Sequence, residues 1–333
     1  MDLTITVAVA AVVLVASYAG TGLILRVLKS RAILDHPNPR SSHRRPTPTG
    51  GGIAVVAVVA LAWLWIGLRA PGMQALQLIG LAVALAALSW LDDLKGLSPF
   101  VRLPAHLAAV AAALMLAPPP GPVFGGLLPG TLDLVAAGLV WVWFLNLFNF
   151  MDGIDGIAGV ETAAIGVGVV VVTAVAGLPG EHALFGLALA AAALGFLGWN
   201  WHPAKIFLGD VGSVPLGFLL GWLLISLAGR GQWAAALILP FYYLADATTT
   251  LVRRALRGER VWQAHREHFY QQGVGRGLSH AQVVRHILWV DAVLIALAVA
   301  AVRGWTWAAL IGAVVVVSWL LWFLAADEPT PAA

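Results

Sequence analysis

The stretch Phe148–Ala163, FNFMDGIDGIAGVETA, puts two carboxylates three residues apart, Asp152 and Asp155, between two apolar runs. An ionisable residue at the end of a membrane helix is a functional-site hypothesis by default. Its neighbours extend the pattern, since Asn146, Asn149, Asp152 and Asp155 recur every three residues. That spacing predicts one slowly drifting helix stripe. Two amides and two carboxylates on such a stripe are costly to bury without ligands. Gly153 and Gly156 lack side chains, which predicts close ligand approach to the backbone.

The flanking runs set the class. The 333 residues are 60% hydrophobic and 11% charged, against about a quarter charged for soluble domains. A spanning helix needs roughly 20 apolar residues. On that ruler the chain is an all-α, polytopic membrane bundle of about eleven spans, at 3–25, 51–68, 73–90, 103–117, 131–150, 157–177, 181–199, 213–229, 232–251, 284–302 and 305–325. Residues 1–326 read as one integral membrane domain and 327–333 as a short disordered tail. The run after Met1 has no basic residue before it, so it is read as the first span, not a signal peptide. Without cysteine there are no disulfides and no thiolate metal sites.

Eleven spans put the termini on opposite sides. Sixteen of the 19 Lys and Arg then fall on one side, and only Arg69, Arg230 and Arg303 on the other. The positive-inside rule places the amino terminus outside and the carboxyl terminus in the cytoplasm. Nearly all polar chemistry lies in the cytoplasmic loops, and the membrane midplane reads as nearly free of charge. That argues against a transporter or lipid flippase, which would show polar or broken helices there. A non-catalytic lipid-binding scaffold would not need the carboxylates.

Four further loops carry candidates. In SWLDDLKGLSPFVR, Asp92 and Asp93 end the third span and diverge by about 100°, with Lys95 and Arg102 beside them. The plain alternative is a helix-end charge pair with snorkelling anchors. In NWHPAKIFLGDVGS, Asn200, His202, Lys205, Phe207 and Asp210 stand together. Asp210 suits a hard divalent ion that also uses substrate phosphates, and Phe207 suits stacking on a base or anchoring at the interface. In AHREHFYQQ, His265, Arg266 and His268 suit phosphate or sugar hydroxyls. His265 and His268 also have metal spacing without an evident third ligand. The nearby Arg253, Arg254, Arg257 and Arg260 read as a polybasic segment attracted to anionic lipid. Finally, SSHRRPTPTGGGIAVV lets the chain bend into the second span, and Asp246 lies roughly 7.5 Å inside the ninth, within reach of the site or of Arg253.

Together these motifs resemble the polyprenyl-phosphate N-acetylhexosamine-1-phosphate transferases, the superfamily containing MraY and WecA (glycosyltransferase family 4). The likeness runs from PTPTGGG to HREHF. It implies Mg²⁺-dependent transfer of sugar-1-phosphate from a UDP-sugar to undecaprenyl phosphate, releasing UMP, with Mn²⁺ as the alternative ion. It places the protein in the bacterial inner membrane with a cytoplasmic active site, and a homodimer is a family-level expectation. By resemblance, Asp210 is the metal ligand and Phe207 stacks on uracil. Asn149, Asp152 and Asn200 match nucleotide- and metal-site positions, and Asp92 or Asp93 matches a proposed base or lipid-phosphate site. The remaining candidates for substrate contact are Asn146, Asp155, Lys205, His265, Arg266, His268, Lys95 and Arg102. His265-Arg266-Glu267-His268 replaces the run of adjacent histidines of the MraY type. This favours the WecA/WbpL-like branch, which initiates O-antigen and exopolysaccharide synthesis, over a phospho-N-acetylmuramoyl-pentapeptide transferase.

Overall fold

The computed structural model describes residues 3–37, 42–43, 45–69, 74–261, 263 and 265–326. The expected tail, 327–333, and Arg40 and Arg44 lie outside these residues. The chain is helical nearly throughout, in the order α1 Leu3–Ser30, α2 Gly52–Gly67, α3 Gln74–Lys95, α4 Pro99–Leu116, α5 Gly130–Phe150, α6 Ile157–Val175 and α7 Gly180–Asn200. It continues with α8 Asp210–Leu227, α9 Trp233–Ile238, α10 Phe241–Leu256, α11 Phe269–Gly275, α12 His280–Val302 and α13 Thr306–Ala325. A two-residue hairpin, β1 Leu34–Asp35 with β2 Thr47–Pro48, folds the first loop back on itself.

Burial sorts these helices into layers. On α8 every residue from Val211 to Leu227 is buried, so its apolar surface is continuous instead of a stripe. α6 and α7 pack on each other beside it, while α1, α3, α4, α12 and α13 leave large aliphatic and Trp side chains on the outer surface. That is the arrangement of a bundle whose outermost contacts are with lipid. Where α2 and α8 cross, Gly52 and Gly212 meet backbone to backbone, and a Cβ on either would collide with the other. Side-chain-free crossings of this kind let membrane helices approach closely.

Among the described residues, nine helical segments are long and apolar enough to cross a membrane. One of them, Asp210–Ile238, contains a turn, since Arg230 and Gly231 leave helical geometry and Gly231 has φ 86°. The expected second span is a shorter apolar helix of 16 residues. The expected ninth, 232–251, is not one helix: it breaks between Ile238 and Phe241, at Pro240. Proline removes a backbone donor and crowds the preceding turn, so the helix restarts there.

Candidate active site

The site is built where five inter-helix segments converge at one end of the bundle. The loop Met151–Gly156 leaves α5 because Gly156 takes a left-handed φ of 83° before α6 starts. The expected single stripe is therefore overturned: Asn146 and Asn149 stay on α5, while Asp152 and Asp155 belong to a turn and point elsewhere. Asn146 faces His106, 3.1 Å from its Nδ1. Asn149 donates to Asp210 Oδ1 at 2.7 Å and to Ser213 Oγ at 2.8 Å. Gly153 does not open the backbone to a ligand either. Tyr270 packs where its Cβ would stand.

The loop before α8 is held by the glycine-rich end of the first loop. Phe207 N–H donates to Pro48 O, Gly51 N–H to Phe207 O and Gly52 N–H to Leu208 O, each at 2.8 Å. This ladder is what PTPTGGG does, and it fixes Phe207 with its ring 4.9 Å from His43. Gly209 follows with φ 75°, a left-handed turn that glycine adopts freely, and Asp210 then opens α8. The first backbone N–H groups of that helix are capped from another helix: Asp93 accepts from Asp210 N–H and Val211 N–H, both at 3.0 Å. The other half of the pair is equally engaged. Asp92 accepts from Leu97 N–H at 2.5 Å and from Arg102 at 2.9 Å, and Arg102 reaches Asp210 Oδ2 at 3.6 Å.

Asp155 sits between two imidazoles. His202 Nδ1 lies 2.6 Å and His280 Nδ1 3.3 Å from its Oδ2, and Ala204 N–H donates to the same oxygen. Burial alone would raise its pKa, yet the hydrogen bonds from His280 and His202 hold the carboxyl below its usual range. Among the described residues this trio is the one group of three with metal-ligating atoms within 4.8 Å of one another. Asn200 ties the loops together. Its Oδ1 accepts from Gly156 N–H and its Nδ2 donates to Ile206 O, both at 2.9 Å. Asp152 is the contrasting carboxylate. Burial, then the charges of Asp210, Asp93 and Asp155, push its pKa up to about 8.

Two cavities meet at Asp210. One, about 420 Å³, is polar, lined by Asp93, Asp152, Asp155, Asn200, Phe207, Asp210 and His280, with Asp35, Ser42 and His43 from the first loop. The other, about 380 Å³, is apolar along Leu88, Leu103, Leu139, Val142 and Trp143, and ends on Asp92, Arg102, Asn146, Asn149 and Asp210. A smaller cleft of about 250 Å³ links Arg102, Asn149 and Asp210 to His265, His268 and Gln271. Burial, with the nearby charges of His268 and Arg254, pushes His265 down to about 4.

Some expected contacts lie apart from these cavities. Lys205 is exposed and sets its ammonium 5.2 Å from the Trp199 ring centroid. Lys95 is exposed at the end of α3 and Arg266 on the loop before α11, and neither lines these cavities. Asp246 neither lines them nor pairs with Arg253. It is fully buried and accepts from Phe269 N–H, Tyr270 N–H, Tyr242 Oη and Thr250 Oγ1, with His268 Nδ1 at 3.2 Å. It thereby pins α11 and His268 beside the site. The basic run after α10 is not a bare polycation, since Arg254 and Arg257 both pair with Glu259 and Glu267.

Sequence reasoning missed His280, Asp35, Ser42, His43 and Gln271. His280 carried a signal, since it directly follows the helix-capping Ser279. It also missed two acids inside the bundle, Glu161 on α6 and Asp291 on α12, both fully buried. Beside the expected midplane nearly free of charge, the bundle thus holds buried acids, and a polar or broken membrane helix cannot separate enzyme from transporter here.

Comparison with known proteins does separate them. Residues 75–228 match the profile described as glycosyl transferase family 4. A phospho-N-acetylmuramoyl-pentapeptide-transferase of Mycobacterium sp. (strain JLS) is 30% identical over 83% of this chain and 89% of its own length. The chain belongs to glycosyl transferase family 4. Other family relatives carry different names. A probable undecaprenyl-phosphate N-acetylglucosaminyl 1-phosphate transferase of Bacillus subtilis is 28% identical over 79% of this chain and 76% of its own. The decaprenyl-phosphate N-acetylglucosaminephosphotransferase of Mycobacterium leprae is 27% identical, over 83% and 79%. The family profile covers α3 to α8 and so contains Asp92, Asp93, Asn149, Asp152 and Asp210.

Proposed function

We propose that this family 4 protein transfers an N-acetylhexosamine-1-phosphate from a UDP-sugar to undecaprenyl phosphate on the cytoplasmic face of the membrane. The observation that carries the reading is the sharing of Asp210 between a polar and an apolar cavity. A water-soluble nucleotide sugar and a polyprenyl chain need those two environments, and their phosphates must touch. The relatives named for transfer to undecaprenyl or decaprenyl phosphate support the acceptor class.

In this reading a lipid phosphate oxygen attacks the β-phosphorus of the UDP-sugar. The bond from that phosphorus to the bridging oxygen breaks, and UMP leaves with the electron pair. The attacking phosphate is already ionised, so the main task is to neutralise two anions that must meet. Arg102, at the inner end of the apolar cavity, binds the lipid phosphate. Asp92 holds Arg102 in place, and Asp93 fixes the start of α8 and with it Asp210. Phe207 and His43 offer ring faces and edges to the base. Five carboxylates, Asp35, Asp93, Asp152, Asp155 and Asp210, line one cavity, and Asp155 alone among them is held by two imidazoles. Burial first, and then the negative charges of Asp210, Asp93 and Asp155, raise the pKa of Asp152.

That oxygen donor set fits Mg²⁺, which takes one or two carboxylates, keeps waters and uses substrate phosphates. Asp210 and Asp152 would hold the ion, with Asn149 steadying Asp210. When bound, it supplies the positive charge that offsets the diphosphate. The His265–His268 sequence, in place of a histidine run, supports a small amino sugar over the muramyl-pentapeptide. The test is incubation of purified protein with undecaprenyl phosphate, Mg²⁺ and a panel of UDP-sugars that includes the muramyl-pentapeptide, scoring UMP. Release with a UDP-N-acetylhexosamine is the expected result. Release with the pentapeptide alone reassigns the donor, and no release with any overturns the reading.

A further inference from the structure

Glu161 on α6 lies within the field of Asp291 on α12, and these two helices pack on each other inside the bundle. Their exposure is 0% and 1%, and none of their four carboxylate oxygens has a hydrogen-bond partner. No basic side chain is among the charged groups acting on either. A third oxygen group joins them. The Tyr243 hydroxyl on α10 is buried, has no hydrogen-bond partner and lies within the field of Glu161 and Asp291, as well as of Asp152 and Tyr270. Buried acids without partners are rare and need an explanation.

We propose that Glu161, Asp291 and Tyr243 bind one hard cation within the helix bundle, separate from the site at Asp210. Neutral acids would complete themselves with hydrogen bonds to one another or to the tyrosine, and none of these oxygens makes one. Carboxylates sharing a cation at about 2.4 Å hold their oxygens farther apart than a hydrogen bond does. The donors are all oxygen, which selects hard ions over soft transition metals. Mg²⁺, which dehydrates reluctantly and keeps several waters, suits this fully buried position less well than Na⁺ or Ca²⁺. Such an ion would brace α6 against α12. Both helices begin at the active-site loop, α6 just after Asp155 and α12 with His280, which contacts Asp155.

The experiment is thermal unfolding of the purified protein at fixed, saturating Mg²⁺, with NaCl, CaCl₂ or choline chloride at equal ionic strength. Choline is too large to enter and controls for screening. Ligand binding to the folded state raises the midpoint with concentration. A rise of a few degrees in NaCl or CaCl₂ over choline is expected, and the responding salt identifies the ion. The rise should vanish in Glu161→Gln and in Asp291→Asn and shrink in the milder Tyr243→Phe. It should persist in Asp210→Asn, which separates this site from the catalytic one. Equal midpoints in all salts overturn the proposal whatever the variants do. So does a rise that Tyr243→Phe leaves unchanged, or one that disappears in Asp210→Asn.

Discussion

At the scale of single residues, Asp210 has the most demanding position, since it lines both cavities and receives Asn149 and Arg102. Asp210→Asn keeps the shape and removes the charge, so transfer should fall by ~10²-fold or more, the scale seen when one preorganised electrostatic group is lost. Thermal unfolding of the same variant checks that it remains folded. Arg102→Lys keeps a charge but loses the planar fork that serves Asp92. Its KM for the lipid phosphate should rise more than its kcat falls, as steady-state rates against undecaprenyl phosphate would show. Asp152 sets a pH dependence. The folded, metal-free protein keeps its proton up to about pH 8, while the ordinary carboxyl releases it near 3.8. The folded state then binds more protons between those values, so stability falls as pH rises across that window. Unfolding midpoints of chelated protein should decline accordingly, and Asp152→Asn or added Mg²⁺ should flatten the decline.

At the scale of elements, most helices were legible because apolar runs of membrane length leave no alternative. The three-residue spacing of Asn146, Asn149, Asp152 and Asp155 misled because it fits a helix, and only the turn at Gly156 shows that the helix has ended. The candidate loops were legible as polar islands. Their pairing was not, because how helices rotate against one another depends on packing between distant segments. Phe207 against the PTPTGGG backbone, Asp93 on the start of α8, and Asp246 under α11 are all pairings of this kind. Asp246 read as a reaching acid, yet it is the hub that docks α11. Asp246→Asn would set an amide N–H₂ against backbone donors, which costs about 1–3 kcal/mol per unsatisfied group. The 257–268 loop should become sensitive to limited proteolysis, with loss of transfer, while the bundle keeps its helical circular dichroism.

At the scale of the whole molecule, the loops that bear the site share one end, and the positive-inside rule predicts from the uneven distribution of Lys and Arg that this end faces the cytoplasm. The chain contains no cysteine, so a single engineered thiol can be read without background. Arg303→Cys, in the turn before α13, should react with a membrane-impermeant maleimide on intact cells. Arg257→Cys, beyond α10, should react only after the cells are opened. The opposite labelling pattern would invert the bundle.

The junction of the two cavities at a single carboxylate also bears on inhibition. A water-borne competitor and a lipid-borne competitor would occupy separate chambers and block the enzyme independently. One compound that joins a polar head to an aliphatic tail would thread both across Asp210, making the second contact intramolecular. Its potency should exceed that of either half by far more than their contact areas suggest, and Asp210→Asn should weaken the joined compound more than either half.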